Sequence, residues 1–231
     1  MNPPAHRSLR EKESFLDRAY GLYEAFSASL TVACKPGCAC CCTRDVTATT
    51  LEAYTVMKRL KQTGRSSLIQ GITATDSGRF QPIMTTNALA GLCASGEDPP
   101  WEDPPVSRGK CPFLDRDLCS IYGVRPFGCR CFVSKRNCSE NQYADVDPFV
   151  LTVNTVFLQF IEHVDTPGLY GNFSDVLGFL DSERHLKAYE ENDLLNPRVG
   201  LPGNRPVPVL MVPPEHRDRI LPLLAGLQKL L

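Results

Sequence analysis

The sequence predicts a mainly α fold, in which an irregular cysteine-rich core with short extended segments is flanked by amphipathic helices. Three observations lead there. Apolar residues recur at three- and four-residue steps near both ends of the chain. Cysteines crowd into two stretches, residues 34–42 and 111–138, and prolines and glycines break up residues 96–109 between them. The strand and helix alternation of a parallel sheet is absent.

The first helix is expected over residues 9–32, where Phe15, Leu16, Ala19, Leu22, Tyr23 and Phe26 share one face. It leads into a loop holding five cysteines in nine residues, with Pro36-Gly37 turning the chain between Cys34 and Cys38. Helical periodicity resumes after Asp45. There Thr47, Thr49 and Thr50 offer capping hydroxyls, Leu51, Tyr54, Val56, Met57 and Leu60 follow, and Thr63-Gly64 stops the run. A short helix can begin at Ser66, but Ser77-Gly78 and Pro82 favour a new start near Gln81, running through Leu89 and Leu92 to Ser95-Gly96.

Residues 96–109 carry Pro99, Pro100, Pro104 and Pro105 around the sole tryptophan, Trp101. They read as a stiff connector pinned by Trp101, ahead of the alternative of a lid. Beyond them, residues 111–115 and 119–122 read as two short extended pieces joined by the charged turn Asp115-Arg116-Asp117. Residues 123–128 then turn the chain toward Cys129-Arg130-Cys131, and Cys138 follows in a polar loop. Asp147-Pro148 caps and opens an apolar helix reaching Val164. Another helix is expected over residues 174–195, and a last one after Pro213-Pro214-Glu215. The whole, residues 1–231, is expected to form a single domain: a cysteine core over about 34–138, with a Pro-rich insertion at 96–109, and a helical part over 147–231.

Bulk properties exclude several classes. A net charge of -1 argues against a coat for nucleic acid or anionic membrane. The amino terminus runs into charged residues with no apolar export segment, and no window is apolar enough to span a bilayer, so the expected location is cytoplasmic. Eleven cysteines in a reducing compartment fit a disulfide framework poorly. Phosphate loops, dinucleotide fingerprints and the Gly-x-Ser-x-Gly elbow are all missing.

Thiolates at this density repel one another and are strong ligands for soft metals, so the two clusters read as one zinc or iron–sulfur site. The histidines His6, His163, His185 and His216 lie outside the cysteine loops, and a surface or capping role is expected of His163. The segment from Arg108 to Arg136 is locally basic. Its cations either offset cluster charge, meet an anionic partner, or form a solvated face.

The pairing of Cys-x3-Cys-x2-Cys-Cys with Cys-Pro-Phe-Leu, Cys-x-Ile-Tyr and Arg-Pro-x-x-Cys-Arg resembles the zinc- or iron-chelating cysteine-cluster family named for its CxxCxxCC motif. The resemblance implies Cys34, Cys38, Cys41 and Cys42 as the first half of the ligand set, and Cys111, Cys119 and Cys129 as the second. It runs from about residue 34 to 132, with a long interruption at 61–110. The first spacing is three rather than two, and Cys40, Cys131 and Cys138 are additional. Seven thiols exceed one four-coordinate zinc. They imply a cluster with spare cysteines, two metals sharing ligands, or a site whose remaining thiols react.

Cys34, Cys38 and Cys41 also match the spacing of radical S-adenosylmethionine enzymes, although the strands of their partial barrel are missing. Three functions stay open: a metalloprotein using its centre structurally or for electron transfer, a modifying enzyme similar to flagellin lysine methylase, and a protein that handles zinc or iron. A protein partner is compatible with each.

Overall fold

The computed structural model describes residues 7–35, 37–73, 79–102, 109–141 and 143–231. Pro36, Ser77-Gly78, Pro104-Pro105, Arg108 and His6, which figure in the expectations above, lie outside them. The order of elements is α1 Leu9–Ser27, β1 Thr47–Thr49, α2 Thr50–Gln62, α3 Ser67–Thr73, α4 Thr86–Ser95, β2 Leu114–Asp115, β3 Leu118–Cys119, α5 Phe127–Arg130, α6 Cys138–Asn141, α7 Pro148–Val164, β4 Tyr170–Asn172, α8 Phe173–Leu180, α9 Glu183–Glu190 and α10 Arg217–Leu230. The fold is mainly α, with two-stranded sheets only, among the described residues.

Caps fix the helix starts. Ser8 with Glu11 opens α1, and Thr49 with Glu52 opens α2, each as a reciprocal capping box. Asp147 caps α7, with Pro148 at its first position. α1 ends at Ser27, short of the expected Val32. α4 starts at Thr86 rather than near Gln81, because the Thr85 hydroxyl accepts from the Ala88 amide, and α3 forms separately before it.

The helix expected over 174–195 is two helices. α8 starts one residue earlier, capped by Asn172, and the chain breaks at Asp181-Ser182 before α9. α9 ends at Glu190, beyond which Asn192 takes a left-handed conformation (φ 63°).

β1 and β4 pair antiparallel in the register Thr47 to Asn172, Ala48 to Gly171 and Thr49 to Tyr170, although they lie far apart in sequence. Gly171 is required there. A Cβ would meet the Gly200 carbonyl oxygen at 2.6 Å and collide with Leu201.

Apolar side chains gather in two cores that share α2 as a wall. One holds Ala53, Val56, Met57 and Leu60 of α2 with Ile69 and Ile72 of α3, Val176 and Leu177 of α8, and Phe113 and Ile121 from the second cysteine region. The other holds Leu51 of α2 with Phe15, Leu16, Ala19 and Tyr23 of α1, Val153, Phe157 and Phe160 of α7, Ile220 and Leu227 of α10, and Phe127. Buried polar groups cross between the cores. Asp165, 0% exposed, accepts from the Thr50 hydroxyl (2.6 Å), the Leu51 amide (2.9 Å), the Tyr189 hydroxyl (2.8 Å) and the Asn204 side-chain amide (3.0 Å).

His163 is buried rather than at the surface. Its Nδ1 accepts from the Val207 amide at 3.2 Å, and burial lowers its pKa. Trp101, expected to pin the Pro-rich connector, is 84% exposed. No helix among the described residues is long and apolar enough to cross a membrane.

Candidate metal centre

Both cysteine stretches are set by short-range backbone bonds. In the first, the Cys38 amide donates to the Lys35 carbonyl (3.0 Å), and Gly37 takes φ 84°, a left-handed conformation that suits glycine. The Cys42 amide bonds the Ala39 carbonyl (3.0 Å). In the second, β2 and β3 form a tight hairpin pairing Leu114 with Cys119. Its turn residues Arg116 and Asp117 are both left-handed, at φ 48° and 64°. The two expected extended pieces are thus one hairpin, shorter than their predicted lengths.

The stretches meet through the main chain. The Cys111 amide donates to the Cys42 carbonyl (2.9 Å), and Thr43 bridges Lys110 antiparallel. Separately, the Ala33 amide donates to the Ser134 carbonyl (2.8 Å), and the Ser134 amide lies 3.4 Å from the Cys34 sulfur.

The turn that presents Cys129 is held by two side chains: Glu52, which sequence reasoning missed, and Arg130, which the motif named without its role. Glu52, 2% exposed, accepts from the Phe127 amide (2.6 Å) and the Tyr20 hydroxyl (2.9 Å), tying α5 to α1 and α2. Its place in a Thr-x-x-Glu capping box was legible, but its second carboxylate oxygen reaching α5 was not. Arg130 is the other. Its Nε donates to the Arg125 carbonyl (2.9 Å), Nη2 to the Gly123 carbonyl (2.8 Å) and Nη1 to Glu24 (2.6 Å), while its guanidinium lies 4.1 Å over the Tyr20 ring. This is the physical reason for an arginine after Cys129.

A cavity of about 520 Å³ opens between these loops. Cys34, Cys38, Cys41, Cys42, Cys111, Cys119 and Cys129 all line it, joined by Cys138 at the start of α6. Apolar walls come from Val46, Phe113, Ile121, Phe132 and Phe173. Three cysteines stand apart from the lining. Cys40 and Cys93 are exposed, and Cys131 packs against the second core, its thiol 3.5 Å from the Gly128 carbonyl. None of the described histidines, His163, His185 and His216, is on the wall. All eleven cysteines are free. Among the described residues, no three Cys, His, Asp or Glu side chains are drawn together tightly enough to hold an ion as they stand.

Electrostatics divide the thiols. Contact with Cys42, followed by burial, pushes the Cys41 thiol well up, and the same contact pulls Cys42 below its usual value. Burial, more than the neighbouring thiols, raises Cys34, Cys111 and Cys129, and takes Cys131 up to about 12. Arg125 opposes this at Cys41, Cys129 and Cys131, and its guanidinium also stacks 4.0 Å over Tyr122. The remaining cations of the basic segment mostly pair locally, Lys110 with Asp117 and Lys135 with Asp147.

A helical scaffold that turns many thiols and few hard donors into one cavity offers the donor set of a soft-metal centre, since such donors suit zinc and iron–sulfur centres rather than magnesium or calcium. The chain belongs to the CxxCxxCC family. The family model covers residues 33–148 and is described as a "putative zinc- or iron-chelating domain". The match takes in every cavity cysteine and ends as α7 begins. No curated protein and no solved structure matches the chain.

Proposed function

We propose that this chain is a metal-centre protein of the reducing cytoplasm, holding iron–sulfur or zinc through the thiols that line the cavity. The observation that carries the reading is convergence. All seven cysteines implied by the motif, from stretches about seventy residues apart, line one cavity, while Cys40 and Cys93 do not. The donor set fits such a centre, and the surplus of thiols over one tetrahedral ion, with room of about 520 Å³, favours iron–sulfur over a single zinc.

A bound centre would supply either a fixed cross-link or a site for one-electron transfer. The chain's own residues do the positioning: Glu52 and Arg130 fix the Cys129 turn, the hairpin fixes Cys119, and the apolar walls limit water. Raised pKa values at Cys34, Cys111 and Cys129 mean that metal entry must displace protons there, so loading should strengthen as pH rises.

Anaerobic purification followed by elemental analysis and a visible spectrum on the same sample tests this. Iron with acid-labile sulfide and a broad visible band is the expected result, and colourless protein with stoichiometric zinc keeps the site while changing its occupant. Metal-free protein with eleven titratable thiols overturns the proposal.

A further inference from the structure

Resting on the metal-binding reading above, we propose that the cavity holds two centres, one on Cys34, Cys38, Cys41 and Cys138, the other on Cys42, Cys111, Cys119 and Cys129. The division adds Cys138 to the ligands, a residue outside the family's motif, and runs between the neighbours Cys41 and Cys42.

The main chain draws the line first. Cys42 is tied to Cys111 by a backbone bond of 2.9 Å, with Thr43 bridging Lys110 beside it. Cys111 and Cys119 flank one hairpin, closed by the Ser120 amide donating to the Phe113 carbonyl at 2.8 Å. Cys129 follows on the turn that Arg130 clamps to Gly123 and Arg125. Cys34 is tied instead to the segment leading to Cys138, through Ala33 and Ser134 (2.8 Å) and through its sulfur and the Ser134 amide (3.4 Å).

Away from the contact between Cys41 and Cys42, thiol neighbourhoods follow the same line. The thiols acting on Cys34 are Cys38, Cys41 and Cys138, whereas those acting on Cys42, besides Cys41, are Cys111, Cys129 and Cys119. Cys111 interacts with Cys119, and Cys129 with both.

Each group supplies four thiols, the number that closes one zinc tetrahedron or one cubane cluster. The boundary falls between the touching thiols of Cys41 and Cys42, so that each centre takes one of the pair. Two such centres concentrate negative charge. Arg125 acts on Cys41 of one group and Cys129 of the other, and its buried Nε has no hydrogen-bond partner. A donor shared by two anionic centres is in the right place there.

The test is metal content per folded chain after anaerobic purification, for the wild type, Cys138→Ser, Cys119→Ser and the double variant, with Cys40→Ser as control. The wild type is expected to carry about two zinc ions, or about eight irons with matching sulfide. Each single variant should retain about half of that, the double variant almost none, and Cys40→Ser all of it. Cys138 lies on the four-residue α6 at the cavity's edge, so Cys138→Ser decides the matter even if Cys119→Ser fails to fold.

Full retention in folded Cys138→Ser overturns the proposal. So does complete loss, or a wild type with one ion or one four-iron cluster, and each of these leaves metal binding itself intact. A metal-free wild type instead removes the reading beneath it.

Discussion

The polar core around Asp165 and the thiol cavity are built on opposite principles. Asp165 is fully buried, yet it meets hydroxyl, backbone amide and side-chain amide donors at 2.6–3.0 Å, with the Lys12 ammonium at 3.8 Å. Those partners come from α1, α2, α9 and the segment after α9, so one carboxylate joins four parts of the chain. The cavity is lined by eight thiols, yet few hydrogen bonds reach their sulfurs, among them those of Cys34 with the Phe132 carbonyl and the Ser134 amide. The difference shows what each region needs. A core closed by its own donors folds on its own chemistry, whereas the cavity wall presents thiols that few internal bonds satisfy, an arrangement that a chelated metal would complete.

The largest expected effect breaks the core. Asp165→Ala leaves Lys12, 1% exposed, without its buried counter-charge, and strips acceptors from Thr50, Leu51 and Tyr189. Removing one partner of a buried pair costs about 3–5 kcal/mol. Urea unfolding should show this loss equally in metal-loaded and metal-stripped protein. A loss that shrinks on stripping would mean that the cavity and the core fold as one unit.

The same contrast governs what the sequence revealed. Helices α1, α2, α7 and α10 were legible because an apolar face and a cap announce themselves within a few residues: Ser8 with Glu11, Thr49 with Glu52, Asp147 with Pro148. Seven of the eight cavity cysteines, all but Cys138, were legible, since thiols this dense have few other uses.

What was hidden is non-local. The pairing of Thr47–Thr49 with Tyr170–Asn172 involves three residues on each side, too few to show alternation. The break before α9 rested on Asp181-Ser182, read as the middle of a continuous helix. His163 was expected at the surface or in a cap, but it and its neighbours Glu162 and Asp165 are buried, with partners Val207, Asn87 and Thr50 that lie 44 or more residues away. Cys138 gave no spacing signal, and only the fold brings it to the cavity.

A smaller effect separates the regions by pH. Glu162 accepts from the Asn87 amide (2.8 Å) and the Arg205 amide (2.9 Å), but burial outweighs these bonds and raises its carboxyl to about 7 from 4.5. The folded chain therefore keeps a proton there that the unfolded chain has released. The stability this contributes is full below about pH 4.5 and is lost as pH rises through 7, a change of about 3 kcal/mol at most. Glu162→Gln resembles the protonated form at every pH. Its stability relative to wild type, from unfolding curves at pH 5, 6, 7 and 8, should rise across the series. Parallel curves would mean that Glu162 stays ionised and that its backbone bonds outweigh burial.

The smallest effect probes the join between the regions. Arg130 reaches from the Cys129 turn to Glu24 and Tyr20 of α1, and so connects the cavity to the second core. Arg130→Lys keeps the charge, but a lysine ammonium cannot reproduce the planar fork that bonds the Gly123 and Arg125 carbonyls together. The expected cost is about 1–2 kcal/mol of global stability. The more telling readout is metal release to a chelator, because a looser turn frees Cys129 before the core opens. Release in Arg130→Lys faster than its loss of global stability accounts for would show that Arg130 helps α1 hold the cavity in shape. Release at the wild-type rate would mean that the thiols and their metal set the turn, with Arg130 following it.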